Sequence, residues 1–283
     1  MLRTNAFKQA LNAAGLALSI LSIVYVFYTQ RESISLLVKE ITTIRLFLIF
    51  LSTLFISFCI YFASSLAWRM LVNQISNISK MTSFFVVCQS QIHKYVVGNF
   101  MHHVTRALLM NGYVSMMDYG KLVFLESGLL TLAGIFLLCG FLFADLYMLE
   151  PALVLLITFL VPFICSIFAT KKYRFYFLVT GLHASTFVLN CLCLLAIIVV
   201  LGGEIDHPLI ILFAFTAAFL SGFLALGSPG GIGIRELVFL LVIAQAGLNE
   251  AFFFQVITLH RVATILCDIA VYFVSKQFRH ASQ

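Results

Sequence analysis

The chain has 283 residues, of which 62% are hydrophobic and only 10% are charged, and its formal net charge is +6. A soluble domain carries about 25% charged residues, so this composition excludes a soluble fold. The Lys and Arg residues lie in short segments between apolar stretches without a nucleic-acid-binding motif, so we expect no nucleic acid as partner. The sequence predicts an all-α, polytopic membrane helix bundle of about seven or eight transmembrane helices, in one transmembrane domain covering residues 1–283.

Apolar stretches of about 20 residues, long enough to cross ~30 Å of hydrocarbon, recur along the chain. The segment 82–112 mixes apolar residues with His, Lys, Asn and Arg, and it is predicted to be an interfacial or re-entrant piece. A second broken segment is predicted at 227–235. The predicted spans lie near residues 10–28, 44–67, 120–144, 152–170, 176–201, 207–226, 233–247 and 251–275.

Basic residues favour one side of the predicted membrane. Lys121, Lys171 and Arg174 flank the spans on that side, whereas the loops 145–150 and 202–207 on the other side contain no Lys or Arg. The positive-inside rule places the basic side in the cytoplasm. We therefore expect a multi-pass protein of the inner (cytoplasmic) membrane with both termini cytoplasmic.

The segment Gly-Ser-Pro-Gly-Gly-Ile-Gly-Ile-Arg-Glu at 227–236 separates two apolar stretches. Proline removes a backbone donor and glycines permit unusual dihedrals, so the helix must unwind here. A helix restarting near Gly233 directs free N–H groups and the positive end of its dipole at the break, and Arg235 adds a full charge. This pattern predicts a site for a phosphate or carboxylate, and a plain turn is the alternative.

Ionisable residues inside predicted spans are the remaining signal, because each costs ~2.5–3.5 kcal/mol at the centre of a membrane helix. Glu126 lies in the third span, and Arg261 and Asp268 share one face of the last. We expect Arg261 and Asp268 to face the bundle interior and to be coupled; a purely structural role is the alternative. His102 and His103 have no third ligand at suitable spacing, so neither a metal nor another cofactor is predicted.

Three motifs resemble the transmembrane (flippase) domain of the lysylphosphatidylglycerol synthase/flippase family (MprF-like): PGGIGIRE at 229–236, KYVVGNFMHHVTR at 94–106 and LESGLLTLAG at 125–134. The resemblance covers most of the chain and departs at Val97, where the family usually has proline. The substrate-binding positions that it implies are Tyr95, Gly98, Arg106, Glu126, Pro229, Gly230, Gly231, Gly233, Glu236 and Arg261. The residue pattern itself adds Arg235 and Asp268.

The resemblance implies a stand-alone member without the soluble synthase domain. We therefore expect a lipid flippase or transporter that handles an anionic phospholipid or a polyprenyl-phosphate-linked substrate through a polar intramembrane cavity. One alternative is a non-catalytic membrane partner of a glycosyltransferase or lipid-modifying enzyme. A second is an intramembrane lipid-phosphate enzyme using His102, His103 and Glu126, although no catalytic motif is recognised and enzyme activity is not expected.

Overall fold

The computed structural model describes residues 41–95, 100–225 and 228–281, together with Leu21, Val24, Tyr28 and Glu32. This part of the chain is helical and contains no strand, which confirms the predicted all-α bundle. Two short 3-10 turns, Ile92–Tyr95 and Pro229–Gly231, interrupt the α-helices. The α-helices are α1 Thr43–Val72, α2 Lys80–Gln91, α3 Met101–Leu109, α4 Met116–Leu146, α5 Pro151–Phe168, α6 Lys171–Leu201, α7 Pro208–Leu224, α8 Ile234–Gln245 and α9 Glu250–Ala281.

Five of these helices are long and apolar enough to cross a membrane: α1, α4, α5, the Tyr173–Leu201 part of α6 and the Glu250–Lys276 part of α9. Helix α7 is a shorter apolar helix. Large apolar side chains cover the outside of the bundle, including Phe124 at 83% and Phe168 at 84% exposure. Such extensive apolar exposure suits contact with lipid rather than water, and the protein is a membrane protein.

The predicted span 233–247 and the predicted broken segment 82–112 do not form continuous spanning helices. Residues 233–247 contain only the 12-residue α8, which is ~18 Å long and shorter than the ~30 Å hydrocarbon layer. Glycines with positive φ, Gly233 at +86° and Gly247 at +69°, flank this helix. The segment 82–112 divides into most of α2, a 3-10 turn and α3. Of the predicted span 10–28, all but Leu21, Val24 and Tyr28 lie outside the described residues.

Local sequence signals account for several helix starts. The hydroxyls of Thr42 and Ser115 accept hydrogen bonds from backbone N–H groups in the first turns of α1 and α4, as N-cap residues do. Helices α5 and α7 begin with Pro151 and Pro208, where the missing N–H costs no helical hydrogen bond. These signals fix where the chain enters each apolar helix.

The buried apolar side chains form two clusters. One extends along α4 to α9 and contains Phe141, Ile197 and Phe254. The other is centred on Trp68 and Met110, and it joins the C-terminal half of α1 to α2, α3 and the beginning of α4. The helices that carry these clusters also carry the buried polar side chains that line the candidate site.

Candidate functional site

A polar cavity of about 170 Å3 lies inside the bundle. Its walls come from α1, α4, α6 and α9, and from the broken segments around Tyr95 and Arg235. Tyr61, Glu126 and His183 belong to the walls and occur well inside α1, α4 and α6 rather than near their ends. The cavity is therefore placed at membrane depth, where charged groups need partners.

The first ion pair in the cavity joins α3 to α4. Arg106 Nη1 lies 3.0 Å from Oε1 and 2.8 Å from Oε2 of Glu126. The guanidinium also lies 4.8 Å from the centre of the Trp68 ring, a cation–π geometry. Both charged residues are buried, so the pair fixes the short helix α3 against the span α4.

The second ion pair joins the first broken segment to α9. Lys94 Nζ lies 2.7 Å from Asp268 Oδ2. The hydroxyl of Tyr95 donates to the same oxygen at 2.7 Å, and the hydroxyl of Tyr61 donates to Oδ1. Three donors thus satisfy one buried carboxylate, which is the condition for holding a charge away from water.

The third ion pair joins the second broken segment to α9. Arg261 Nε lies 3.0 Å from Glu236 Oε1, and Arg261 Nη2 donates to the carbonyl oxygen of Gly230 at 2.8 Å. The other oxygen of Glu236 accepts from the N–H of Gly233 at 2.6 Å. The expectation that this helix N-terminus offers its N–H groups freely is wrong for Gly233, because the Glu236 side chain caps it.

Arg261 and Asp268 do not form an ion pair with each other, and their coupling stays a prediction. Both residues are buried and line the cavity, but each has a different ion-pair partner, Glu236 for Arg261 and Lys94 for Asp268. The two residues share a helix face as predicted. The charges that balance them come from the two broken segments.

Arg235 is the cation that remains. Its guanidinium lines the cavity and stacks on Phe219, with its central carbon 4.3 Å from the ring centre. Within the described part of the chain, no carboxylate lies within ion-pair distance of Arg235, and its Nε has no hydrogen-bond partner. Since the cations Lys94, Arg106 and Arg261 are paired, Arg235 gives the cavity an unbalanced positive charge.

Two glycines create the space that Arg235 occupies. A Cβ atom at Gly222 of α7 would lie 2.3 Å from Arg235 Cγ, and one at Gly231 would lie 2.7 Å from Arg235 Nε. Gly231 also has φ +72° and would bring its Cβ within 2.9 Å of the Gly222 backbone. The glycine-rich motif therefore serves close backbone contact as well as chain reversal.

Histidines add unpaired polar atoms to the same cavity. His183 and His260 are buried, line the cavity, and have no hydrogen-bond partner for either ring nitrogen among the described residues. His103, in the short helix α3, is also buried, and its Nδ1 has no hydrogen-bond partner among the described residues.

The structure brings most of the sequence-predicted site residues together. The predicted residues that line the cavity are Tyr95, Arg106, Glu126, Arg235, Arg261 and Asp268. Pro229, Gly230, Gly231, Gly233 and Glu236 form the break beside it, whereas Gly98 lies outside the described residues. Sequence reasoning missed Tyr61, Lys94, His183, Asn190 and His260. For Tyr61, Asn190, His183 and His260, the available signal was a polar side chain within an apolar span.

The chain matches no protein-family model, no curated protein and no solved structure. The resemblance to the lysylphosphatidylglycerol synthase/flippase family therefore rests on the sequence motifs. In the described part of the chain, no group of three His, Cys, Asp or Glu side chains could hold a metal ion.

Proposed function

We propose that the protein is a lipid transporter of the flippase class, which takes the phosphate headgroup of an anionic lipid into the polar cavity. The observation that carries this proposal is the unbalanced charge of Arg235 inside a bundle of apolar helices. A cation in a low-dielectric site is stabilised by a bound anion. A guanidinium is also well suited to phosphate, because its donors match phosphate geometry.

The other cavity residues support binding more than catalysis. Both Glu126 oxygens contact Arg106, and Asp268 accepts from two tyrosines while pairing with Lys94. Carboxylates held in this way are satisfied as counter-ions and are poorly placed to act as general bases. The ring N–H groups of His183 and His260 are suited to donate to further phosphate oxygens.

Binding of anionic lipid tests the proposal. In nanodiscs, wild type should bind phosphatidylglycerol more tightly than phosphatidylcholine, and Arg235→Gln should lose this preference. A hydrogen bond to a charged group contributes ~1.5–3 kcal/mol, so the variant should bind phosphatidylglycerol about ten- to a hundredfold more weakly. Lys121→Gln is the matched control, because it removes the same charge at an exposed position that pairs with Asp118. Equal binding by wild type and Arg235→Gln would contradict the proposal.

A transport assay distinguishes a flippase from the two alternative functions, a non-catalytic membrane partner and a lipid-phosphate enzyme. In liposomes, wild type should accelerate the movement of fluorescent phosphatidylglycerol between leaflets, and Arg235→Gln should not. Specific binding without accelerated movement would favour a non-catalytic partner of a lipid-modifying enzyme. Release of phosphate or of a headgroup by the purified protein would favour the enzyme.

We also propose the inner-membrane orientation that the basic residues predict, with the Lys171 side of the bundle in the cytoplasm and Asp206 outside. Both termini are cytoplasmic only if the short α8 and the break before it return the chain across the bilayer. In a cysteine-free background, a cysteine placed at Asp206 should react with an impermeant maleimide from outside the cell, and a cysteine at Lys171 should react only after the membrane is opened. The reverse labelling pattern would overturn this orientation.

A further inference from the structure

An apolar groove of about 850 Å3 lies on the outside of the bundle along α4. Its floor is a stripe of α4 residues spaced three or four apart, from Met116 to Ile135, which defines one helix face. The stripe is ~28 Å long and so nearly matches the ~30 Å hydrocarbon layer. Helix α3, its N-cap residue Phe100 and the end of α7, including Leu224, supply the other lining residues.

This groove adjoins the polar cavity. His103, Ser127 and Phe223 line both spaces, and Ser127 occurs near the middle of the α4 stripe. One side of this shared rim leads towards Arg235, and the other leads along apolar side chains such as Phe124 and Leu132, which are 83% and 55% exposed. A polar cavity that shares a wall with the middle of an exposed apolar groove matches the two chemical parts of a lipid.

We infer that one acyl chain of the phospholipid whose phosphate contacts Arg235 lies in the α4 groove. This inference rests on the proposed function, and it adds that the lipid reaches the cavity sideways from the bilayer across the rim of His103, Ser127 and Phe223. Because the groove extends to both sides of that rim, the chain can lie towards either membrane surface. The chain therefore remains in an apolar environment while the headgroup occupies the cavity.

Two glycines in the groove permit a selective block. No atom lies within 4 Å of a Cβ built on Gly120 or Gly128, and both residues line the groove, so a leucine at either position begins in open space. Leucine also favours a helix more than glycine does, which protects folding. Gly128 adjoins the shared rim, whereas Gly120 lies towards the Met116 end. Cys139→Leu is the control, because Cys139 is exposed on the same helix and does not line the groove.

Phosphatidylglycerol carrying a photoreactive diazirine on one acyl chain provides the probe. After illumination in nanodiscs, we expect crosslinks on peptides from both halves of the stripe, within 116–123 and 128–135. Gly128→Leu should reduce the crosslinks and the affinity for phosphatidylglycerol by about tenfold, as expected when an occupied site is overpacked. Gly120→Leu should reduce crosslinks in the half of the stripe that begins at Met116. Cys139→Leu should change neither the crosslinks nor the affinity for phosphatidylglycerol. Thermal unfolding of all variants checks that they are folded.

The outcomes separate the groove from the headgroup site. If Arg235→Gln loses phosphatidylglycerol binding while folded Gly128→Leu keeps both its crosslinks and its affinity, the headgroup site stands and the groove inference is overturned. If Arg235→Gln binds as wild type does, the proposed function itself falls. A photoreactive polyprenyl phosphate forms the second arm, and crosslinking of that lipid alone would overturn the acyl chain as occupant.

Discussion

Glu126→Gln should lower the free energy of unfolding by ~3–5 kcal/mol, the usual cost of removing one partner from a buried ion pair. The variant preserves the shape of the side chain but leaves the guanidinium of Arg106 without a counter-ion, at a side-chain exposure of 3%. Arg106 also attaches α3 to Trp68, so the loss should loosen the packing of α3. Thermal unfolding in a fixed detergent measures the effect.

Two further variants show whether the lost charge balance is the cause. Replacing both partners, with Arg106→Met and Glu126→Leu together, should recover most of the stability, since apolar side chains of similar volume can substitute for a buried ion pair. Asp118→Asn breaks the exposed pair with Lys121 on the same helix α4 and should leave the unfolding temperature nearly unchanged. If Glu126→Gln is as stable as Asp118→Asn, the Arg106–Glu126 pair does not hold α3 in place.

Gly231→Ala should be strongly destabilising, although it adds only one methyl group. Its Cβ would lie 2.9 Å from the Cα and carbonyl oxygen of Gly222, and these backbone atoms cannot move independently of α7. The left-handed conformation costs a non-glycine residue ~1–2 kcal/mol, and overpacking adds ~1–3 kcal/mol. We therefore expect the free energy of unfolding to fall by ~2–5 kcal/mol in total.

Gly112→Ala separates the two contributions. Gly112 also has positive φ, at +92°, but no atom lies within 4 Å of its Cβ position. It should therefore show the conformational cost without the clash. Denaturant unfolding of the two variants under identical conditions gives the difference, and equal losses would mean that the contact between Gly231 and Gly222 is not close enough to matter.

The fold was largely predictable because hydrophobic span length is a direct consequence of bilayer thickness. The glycine-rich break and Arg235 were also visible, since Pro229 and the following glycines cannot continue a regular helix. The predicted stretch 233–247 was already shorter than the other spans, and α8 is shorter still because Gly233 and Gly247, both with positive φ, bound it. The positive φ of Gly247 depends on how the chain turns towards α9, and composition does not encode it.

The contacts between the site residues were harder to predict than the identity of these residues. Asp268 and Arg261 were expected to balance each other because they share a face of α9, but Tyr95 reaches Asp268 from 173 residues away in the chain. That pairing depends on how the helices rotate and on where the broken segments enter the bundle. The groove was likewise hidden, because Gly120 and Gly128 resemble ordinary helix glycines until the absence of neighbouring atoms is known.

The central claim is that a lipid phosphate contacts Arg235 inside the bundle. The most direct measurement is the dipolar coupling between lipid phosphorus and guanidinium nitrogen, recorded by solid-state NMR on 15N-arginine-labelled protein in phosphatidylglycerol bilayers. In wild type we expect one strongly coupled guanidinium signal that is absent from the spectrum of Arg235→Gln and persists in Lys121→Gln. Identical couplings in wild type and Arg235→Gln would contradict the account.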